Sequence, residues 1–201
     1  LRMYELFVGP PELDAEWDDR GIDGVYRFLN KFWSLVMDNK DKTVEPTKEM
    51  IKLRHRMVHT ITQRLESFNL NTVISGFMEY NNKMIEMAKK EGIDKETLET
   101  AVVLIAPFAP HLAEELWQEL GHEESVFKNT WPEHDEDAMK DDEIEVPVQI
   151  NGKTKIVISI PADISKEDAI ARGKEALGDK LTGNIIKEIY VPKKIINIVA
   201  K

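Results

Sequence analysis

The chain has 201 residues, no cysteine and a formal net charge of −10 at pH 7. This length suffices for one large domain or two small ones, each with an apolar core. The absence of cysteine excludes disulfides and thiolate metal sites. No apolar run approaches a membrane span and no signal peptide is recognisable, so we expect a soluble, cytoplasmic protein without a membrane partner.

The charge is unevenly distributed along the chain. Residues 1–143 hold 17 basic and 30 acidic residues, a net charge of −13, whereas residues 144–201 hold 10 and 7, a net charge of +3. Phosphate binding depends on the local field rather than on the global charge. The composition is therefore compatible with RNA binding by a basic C-terminal part, and equally with ordinary solubility.

The first 23 residues are predicted to be irregular. Gly9, Pro10 and Pro11 break regular structure, and a charged run follows at 17–21. The segment nevertheless contains several apolar side chains, and these indicate contact with a neighbour that the sequence does not contain. Together with Leu1 as first residue, this suggests a piece of a longer protein. The apolar residues are Met3, Tyr4, Leu6, Phe7 and Trp17.

Helical periodicity predicts five helices between residues 22 and 121. The first three are expected at 22–39, at about 45–68, and from 71 or 72 to about 92. The fourth is capped by Asp94 and ends before Pro107, and the fifth spans 110–121. Pro107 ends the fourth helix because it lacks an N–H, and Pro110 suits the first turn of the fifth. Short connections between the five helices predict an antiparallel bundle.

After Gly121 the periodicity weakens, and then changes from helix to strand. Residues 126–132 are predicted to lie back across the bundle, and the acidic run 133–145 is predicted to form a solvated linker. Alternating apolar residues on both sides of Asn151 and Gly152 predict a hairpin. A helix capped by Ser165 and a second strand pair about the turn at 192–194 complete a β-β-α-β-β module.

The expected fold is thus mainly α with a small α+β module, an antiparallel five-helix bundle followed by a β-β-α-β-β domain. The expected divisions are 1–21, an N-terminal segment; 22–132, the helical domain; 133–144, the acidic linker; and 145–201, the C-terminal domain.

His111 with Glu114 and Glu115 invites a metal-site hypothesis, since a histidine and a carboxylate three residues apart share a helix face. A zinc metalloprotease helix has a second histidine at i+4, where this chain has Glu115. Packing at the start of a helix is the preferred interpretation, and we expect no metal site. A metal-dependent hydrolase built on these residues stays the least favoured alternative.

Four stretches resemble known families. The sequence A-P-F-A-P-H-L-A-E-E-L-W at 106–117 looks like the late-helix signature of the anticodon-binding domain in class I aminoacyl-tRNA synthetases of the leucine, isoleucine, valine and methionine group. Residues 3–33 are similar to the segment that joins the catalytic core of leucyl-tRNA synthetases to their helical domain. V-Q-I-N-G-K at 148–153 and K-E-I-Y-V-P-K-K-I-I-N-I-V at 187–199 resemble the C-terminal domain of bacterial-type leucyl enzymes.

The resemblance covers nearly the whole chain and separates the leucine enzymes from their relatives. Isoleucyl enzymes commonly end in a cysteine-rich zinc module and valyl enzymes in a coiled coil, and neither pattern occurs here. Thr154 and Lys155 depart from the family pattern, which often has an apolar and then a basic residue.

The resemblance implies that the whole protein is an ATP-dependent leucine–tRNA ligase, and that this fragment alone does not activate leucine. Class I enzymes carry H-I-G-H-like and K-M-S-K-S-like motifs, and neither occurs in this sequence. ATP and Mg²⁺ would belong to the missing catalytic core, so no cofactor is expected in the fragment. The implied partners are leucine tRNA and that core, in an enzyme expected to be monomeric.

In the family, the helical domain packs along the inner side of the tRNA and the small domain meets the elbow and the long variable arm. Carried over by position, and because cations hold phosphates without reading sequence, eleven residues are candidates for tRNA binding. They are Arg27, Lys31, His55, Arg56 and His59 in the bundle, and Lys153, Lys155, Lys187, Lys193, Lys194 and Asn197 in the tail, where the two hairpin turns present most of the charge.

Three alternatives stay open. The lysines can be surface residues that only solvate the domain. The chain can be a protein-interaction module without RNA binding, or the equivalent region of another class I synthetase.

Overall fold

A computed structural model of the chain describes residues 1–10, 13–14, 16–18, 20–141 and 143–201. Pro11, Asp19 and Asp142, which belong to the predicted breaker, charged run and acidic linker, lie outside the described residues. The chain divides into two compact units, Leu1–Met139 and Lys140–Lys201, each with its own apolar core. None of the helices in the described part is long and apolar enough to span a bilayer.

The first unit is helical. Its elements are α1 Arg2–Phe7, α2 Gly21–Met37, α3 Lys48–Glu66, α4 Leu70–Lys90, α5 Lys95–Ile105, α6 Pro110–Glu119 and a short 3₁₀ turn Val126–Lys128. Helix α4 packs against α1, α2 and α3, while α5 packs against α3 and α6. The described residues of this unit thus contain six α-helices rather than the five predicted.

The additional helix, α1, corrects the expectation of an irregular start. Met3 and Tyr4 are 3% and 2% exposed and belong to the core of the unit. The Tyr4 hydroxyl donates a hydrogen bond to the Asp18 carbonyl at 2.7 Å. The neighbour that these side chains required is the bundle itself, whereas Trp17 remains 59% exposed. A six-residue helix is too short to show a periodicity in the sequence.

Local signals account for the helix boundaries that the sequence did indicate. The side chains of Thr47 and Asp94 accept hydrogen bonds from the third following residue and cap α3 and α5. Pro107 follows the end of α5, and Pro110 occupies the first turn of α6. The corner between these helices brings Leu104, Ile105 and Leu116 into the core, where each is fully buried.

The second unit is a four-stranded mixed sheet with one long helix. Its elements are β1 Glu143–Ile150, β2 Lys153–Pro161, α7 Lys166–Leu177, a 3₁₀ turn Gly178–Lys180, β3 Ile185–Val191 and β4 Ile195–Ala200. The strand order is β2-β1-β4-β3. Both hairpins are antiparallel, and β1 pairs with β4 in parallel, so the connection through α7 supplies the crossover that a parallel pair requires.

Alternation along the strands separates two faces of this sheet. Val146, Val148, Ile196 and Ile198 point to the covered face and form a core with α7. A Cβ on Gly173 would lie 3.1 Å from Ile196 Cγ2, so this glycine allows α7 to approach the sheet closely. The opposite face carries the partly or fully exposed residues Pro147, Gln149, Val157, Lys187, Asn197 and Val199.

Candidate nucleic-acid interface

Two of the candidate residues, Arg27 and Lys31, lie one helical turn apart on α2 and are exposed. The Arg27 Nε donates a hydrogen bond to the Asp23 carbonyl on its own helix at 3.3 Å. Both cations border a cavity of about 230 Å³ between α2 and α4, together with Phe28 and Asn81. This arrangement leaves two positive charges available to a ligand on one surface.

Lys31 also borders a second cavity, of about 520 Å³, between the C-terminal halves of α2 and α4. Lys42 and Lys89 line the same cavity, with Asp38 as an opposing charge. The Lys42 Nζ donates a hydrogen bond to Asn39 Oδ1 at 3.0 Å. The positive surface around Lys31 is therefore broader than the two residues identified from the sequence.

His55, Arg56 and His59 on α3 have a different environment, because the segment 131–139 lies against them. The His55 Nδ1 accepts a hydrogen bond from the Asp135 N–H at 3.0 Å, and the Arg56 Nε donates one to the Met139 carbonyl at 3.0 Å. We call residues 131–139 the strap. These candidate residues hold the strap rather than presenting a free cationic surface.

The His59 ring adds a further contact with the strap. Its Nδ1 lies 3.0 Å from His134 Nε2, and the two ring centroids are 4.6 Å apart at an interplanar angle of 65°. One ring must donate the proton and the other accept it, so at least one of the two is neutral in this arrangement. The Trp131 Nε1 donates to Thr62 Oγ1 at 2.8 Å and extends the contact along α3. Part of the predicted acidic linker, residues 133–139, thus lies within the first unit.

In the second unit the lysines do not form one cluster. The turn at Asn151 and Gly152 lies beside the C-terminal half of β4, because the Asn151 N–H donates to the Ile198 carbonyl at 3.0 Å. The other turn, which holds Lys193 and Lys194, directly precedes β4. The two turns therefore lie at opposite ends of a six-residue strand, about 20 Å apart.

Lys153, Lys155 and Lys187 belong to the end of the sheet that carries the first turn. Lys153 pairs with Ile150, Lys187 pairs with Val199, and Lys155 occupies an irregular position in the β1–β2 ladder. All three side chains are exposed. This end of the sheet is the more strongly basic one, because three of the five candidate lysines of this unit lie there.

Asn197 supports the backbone of the first turn. Its Oδ1 accepts a hydrogen bond from the Gly152 N–H at 3.1 Å. Asn151, at φ 50°, fixes the other side of the turn through hydrogen bonds of its carboxamide with both main-chain groups of Ala200, at 2.9 and 3.0 Å. Asn197 therefore helps to hold the first turn in position.

The motif around His111 has a structural explanation. Glu114 accepts hydrogen bonds from Ser125 Oγ and from the Val126 N–H, the latter at 3.1 Å, and so ties the 3₁₀ turn to α6. His111 and Glu115 are exposed. Among the described residues, no group of three or more histidine, aspartate or glutamate side chains has a geometry able to hold a metal ion.

Sequence reasoning missed Asn81, a buried polar residue of the bundle. It lies on α4 and is 1% exposed, and its Oδ1 is buried without a hydrogen-bond partner among the described residues. The available signal was its position: Asn81 follows Phe77 by four residues and precedes Met84 by three, which is the spacing of the buried stripe.

Residues 47–170 match the family described as the anticodon-binding domain of tRNA ligase. The match covers well over half of the chain, which therefore belongs to this family of anticodon-binding domains. It includes α3 to α6 of the first unit and extends through β1 and β2 into α7.

The relatives of the whole chain are leucine–tRNA ligases. The leucine–tRNA ligase of Fervidobacterium nodosum is 40% identical over 219 residues, which cover 100% of this chain and 27% of the relative. That of Parabacteroides distasonis is 41% identical over 99% of this chain and 22% of the relative. The chain thus spans about a quarter of the length of these ligases. The resemblance to leucyl-tRNA synthetases found in the sequence is confirmed.

A solved structure matches the chain over its whole length. It is described as the ternary complex of Agrobacterium radiobacter K84 agnB2 LeuRS with tRNA and LeuAMS. The match has a TM-score of 0.78 and 27% sequence identity, and it covers 100% of this chain and 28% of that one.

Proposed function

We propose that the chain is the tRNA-binding C-terminal region of a leucine–tRNA ligase, which attaches leucine to leucine tRNA in an ATP-dependent reaction. The observation that carries the proposal is the similarity of the whole chain to a ligase solved together with tRNA. The leucine–tRNA ligases among its relatives support the choice of amino acid.

The proposal assigns catalysis to a core outside this sequence. Residues 1–21 connect to that core, and ATP and Mg²⁺ bind there rather than here. The bundle lies along the inner side of the tRNA, while the C-terminal module meets the elbow and the variable arm. The full-length enzyme acts as a cytoplasmic monomer.

Within the bundle, we assign the phosphate contacts to Arg27 and Lys31. Both are exposed, lie on one helix face and border the same cavity. His55 and His59 instead receive a role in holding the strap, because hydrogen bonds with the strap occupy ring nitrogens of both. Cations on a rigid helix position an RNA backbone without reading its sequence.

Within the second unit, we assign the contact to the sheet end that carries Lys153, Lys155 and Lys187. Folded RNA is recognised by shape and by unpaired bases, which suits a flat sheet surface edged by lysines. Lys193 and Lys194, at the other end of β4, form a separate contact if the RNA extends along the strand.

A fluorescence-anisotropy titration tests the proposal. The chain is titrated with a leucine tRNA transcript and with a tRNA that has a short variable arm, each at several salt concentrations. We compare the unchanged chain with the double variant Arg27→Ala/Lys31→Ala and with Lys128→Ala. Lys128 is also an exposed cation; it pairs with Glu124 at 2.9 Å and belongs to neither assigned surface.

We expect tighter binding of the leucine tRNA and a loss of affinity with salt. Each lost phosphate contact reduces the slope of log K against log salt by about 0.7–0.9, so the double variant should lower it by about 1.4–1.8. Lys128→Ala should leave the slope unchanged. Equal slopes for all three proteins would refute the assigned surface. An absence of binding to either tRNA would refute the RNA-binding function and favour a protein-interaction module.

A further inference from the structure

The side chain of Asn81 is polar but lies buried within the helical bundle. It is 1% exposed, and its Oδ1 accepts no hydrogen bond from the described residues. A buried polar atom without a partner destabilises a fold. Asn39, which is also buried, shows the usual arrangement, since its Nδ2 donates to the Leu35 carbonyl at 2.7 Å.

Asn81 borders the cavity of about 230 Å³ that Arg27 and Lys31 also line. Phe28 and Met78 contribute apolar walls. A Cβ built on Gly24 would meet no atom within 4 Å, so the α2 wall of the cavity adjoins open space. A polar side chain whose Oδ1 has no partner among the described residues therefore lies at a recess with a mixed polar and apolar lining, with two exposed cations along its border.

We propose that this cavity binds one unpaired nucleotide of a bound RNA, with the edge of the base on Asn81 and the adjoining phosphates on Arg27 and Lys31. The inference rests on the proposed function and adds a base contact to the phosphate contacts assigned above. The cavity is smaller than the 300–1,000 Å³ typical of sites for drug-sized ligands, which suits a single base.

The chemistry of the lining residues matches this ligand. A carboxamide offers an acceptor and a donor side by side, and it complements a base edge that presents a donor next to an acceptor. Proteins bind unstacked RNA bases through such edges while apolar or aromatic side chains pack on the base faces. Phe28 and Met78 supply the apolar surface, and the cations neutralise the backbone.

This assignment also explains why a polar residue occupies a core position. On stability alone, leucine at position 81 would remove the unpaired polar atom and retain a similar volume. A group that is costly in the free protein and gains its hydrogen bonds only with the ligand is typical of a functional site. Asn81→Leu should therefore have opposite effects on folding and on binding.

The test uses the full chain, a leucine tRNA transcript and three variants. Asn81→Leu removes the base contact, and Gly24→Leu fills the cavity from α2 without a clash at Cβ, while replacing glycine by a better helix former. Thr97→Val is the control, because it removes a buried polar group whose hydrogen bond, from Thr97 Oγ1 to Asp94 Oδ2 at 2.6 Å, is satisfied away from the cavity. Thermal unfolding, anisotropy and chemical probing of the unpaired tRNA nucleotides are measured for each.

We expect the unchanged chain to protect one unpaired nucleotide. Asn81→Leu and Gly24→Leu should abolish that protection and raise Kd about tenfold, with a Tm equal to or above that of the unchanged chain. Thr97→Val should lower Tm and leave the protected nucleotide unchanged. If Asn81→Leu and Gly24→Leu keep the affinity and the protection pattern, the cavity holds only solvent and this inference is wrong while the proposed function stands. If the unchanged chain binds no tRNA, both are wrong.

Discussion

Asp94 connects the cap of α5 with a buried ion pair, and its replacement by alanine should strongly destabilise the first unit. The Asp94 carboxylate accepts hydrogen bonds from the Thr97 N–H at 3.0 Å and from Thr97 Oγ1 at 2.6 Å. It also lies 3.3 Å from Arg54 Nη1, and the two side chains are only 10% (Arg54) and 3% (Asp94) exposed. A single substitution thus removes a cap and one partner of a buried charge.

The magnitude follows from these two losses. An aspartate cap contributes about 1 kcal/mol, and removal of one partner from a buried ion pair costs about 3–5 kcal/mol because the other charge stays buried. Glu96 remains 2.7 Å from Arg54 but is itself 67% exposed, so it compensates in part. We therefore expect a loss of about 3 kcal/mol in the free energy of unfolding, at the low end of this range.

Urea denaturation followed by tryptophan fluorescence measures this loss in the first unit alone, because all four tryptophans lie within residues 1–139. With an m-value of about 2 kcal/mol/M, the midpoint should fall by about 1.5 M. Thr47→Ala, which removes only the cap of α3, is the matched control and should cost about 1 kcal/mol. Asp94→Asn should lie between the two. A cost for Asp94→Ala no larger than that for Thr47→Ala would refute the role of the buried pair.

Three further predictions use the same measurement. Trp131→Phe should cost about 1 kcal/mol, because it removes the hydrogen bond between the strap and α3; an unchanged midpoint would show that this contact is energetically neutral. Gly92→Ala should cost more than 1 kcal/mol, since residue 92 has φ +86° and a Cβ would lie 2.7 Å from Val44 Cγ2; a smaller cost would mean that Val44 moves aside. The hydrogen bond with Glu119 raises the pKa of Lys40. A raised pKa stabilises the fold at all pH values below the unfolded pKa, and the stabilisation is lost above about pH 10. Lys40→Met should therefore reduce the alkaline loss of stability, and an identical pH profile would contradict the pairing.

Part of the candidate surface can be proposed from the sequence, but its grouping cannot. The resemblance to the family carries Arg27 and Lys31 over by position, and their four-residue spacing on a predicted helix places them on one face. The hydrogen bonds of His55 and His59 with the strap could not be predicted from the sequence. His59 and His134 are 75 residues apart, and no local pattern links them. Asn81 carries a weak signal as a polar residue on an apolar stripe, but only the packed helices show that its oxygen has no partner in the part of the chain that the structure describes.

The sequence by itself determined the family and the local structure. Caps at Thr47 and Asp94 and the hairpin turn at Asn151 depend on backbone dihedral angles and hydrogen bonds within a few residues, which the residue types dictate directly.

Only the tertiary structure decided that α1 is buried in the bundle and that the strap covers α3. It also decided that the two basic turns lie at opposite ends of the sheet, because the parallel pairing of β1 with β4 sets their positions. Such arrangements depend on the packing of surfaces that are distant in the chain. Their free energy comes from burial and complementarity, which local sequence patterns do not encode.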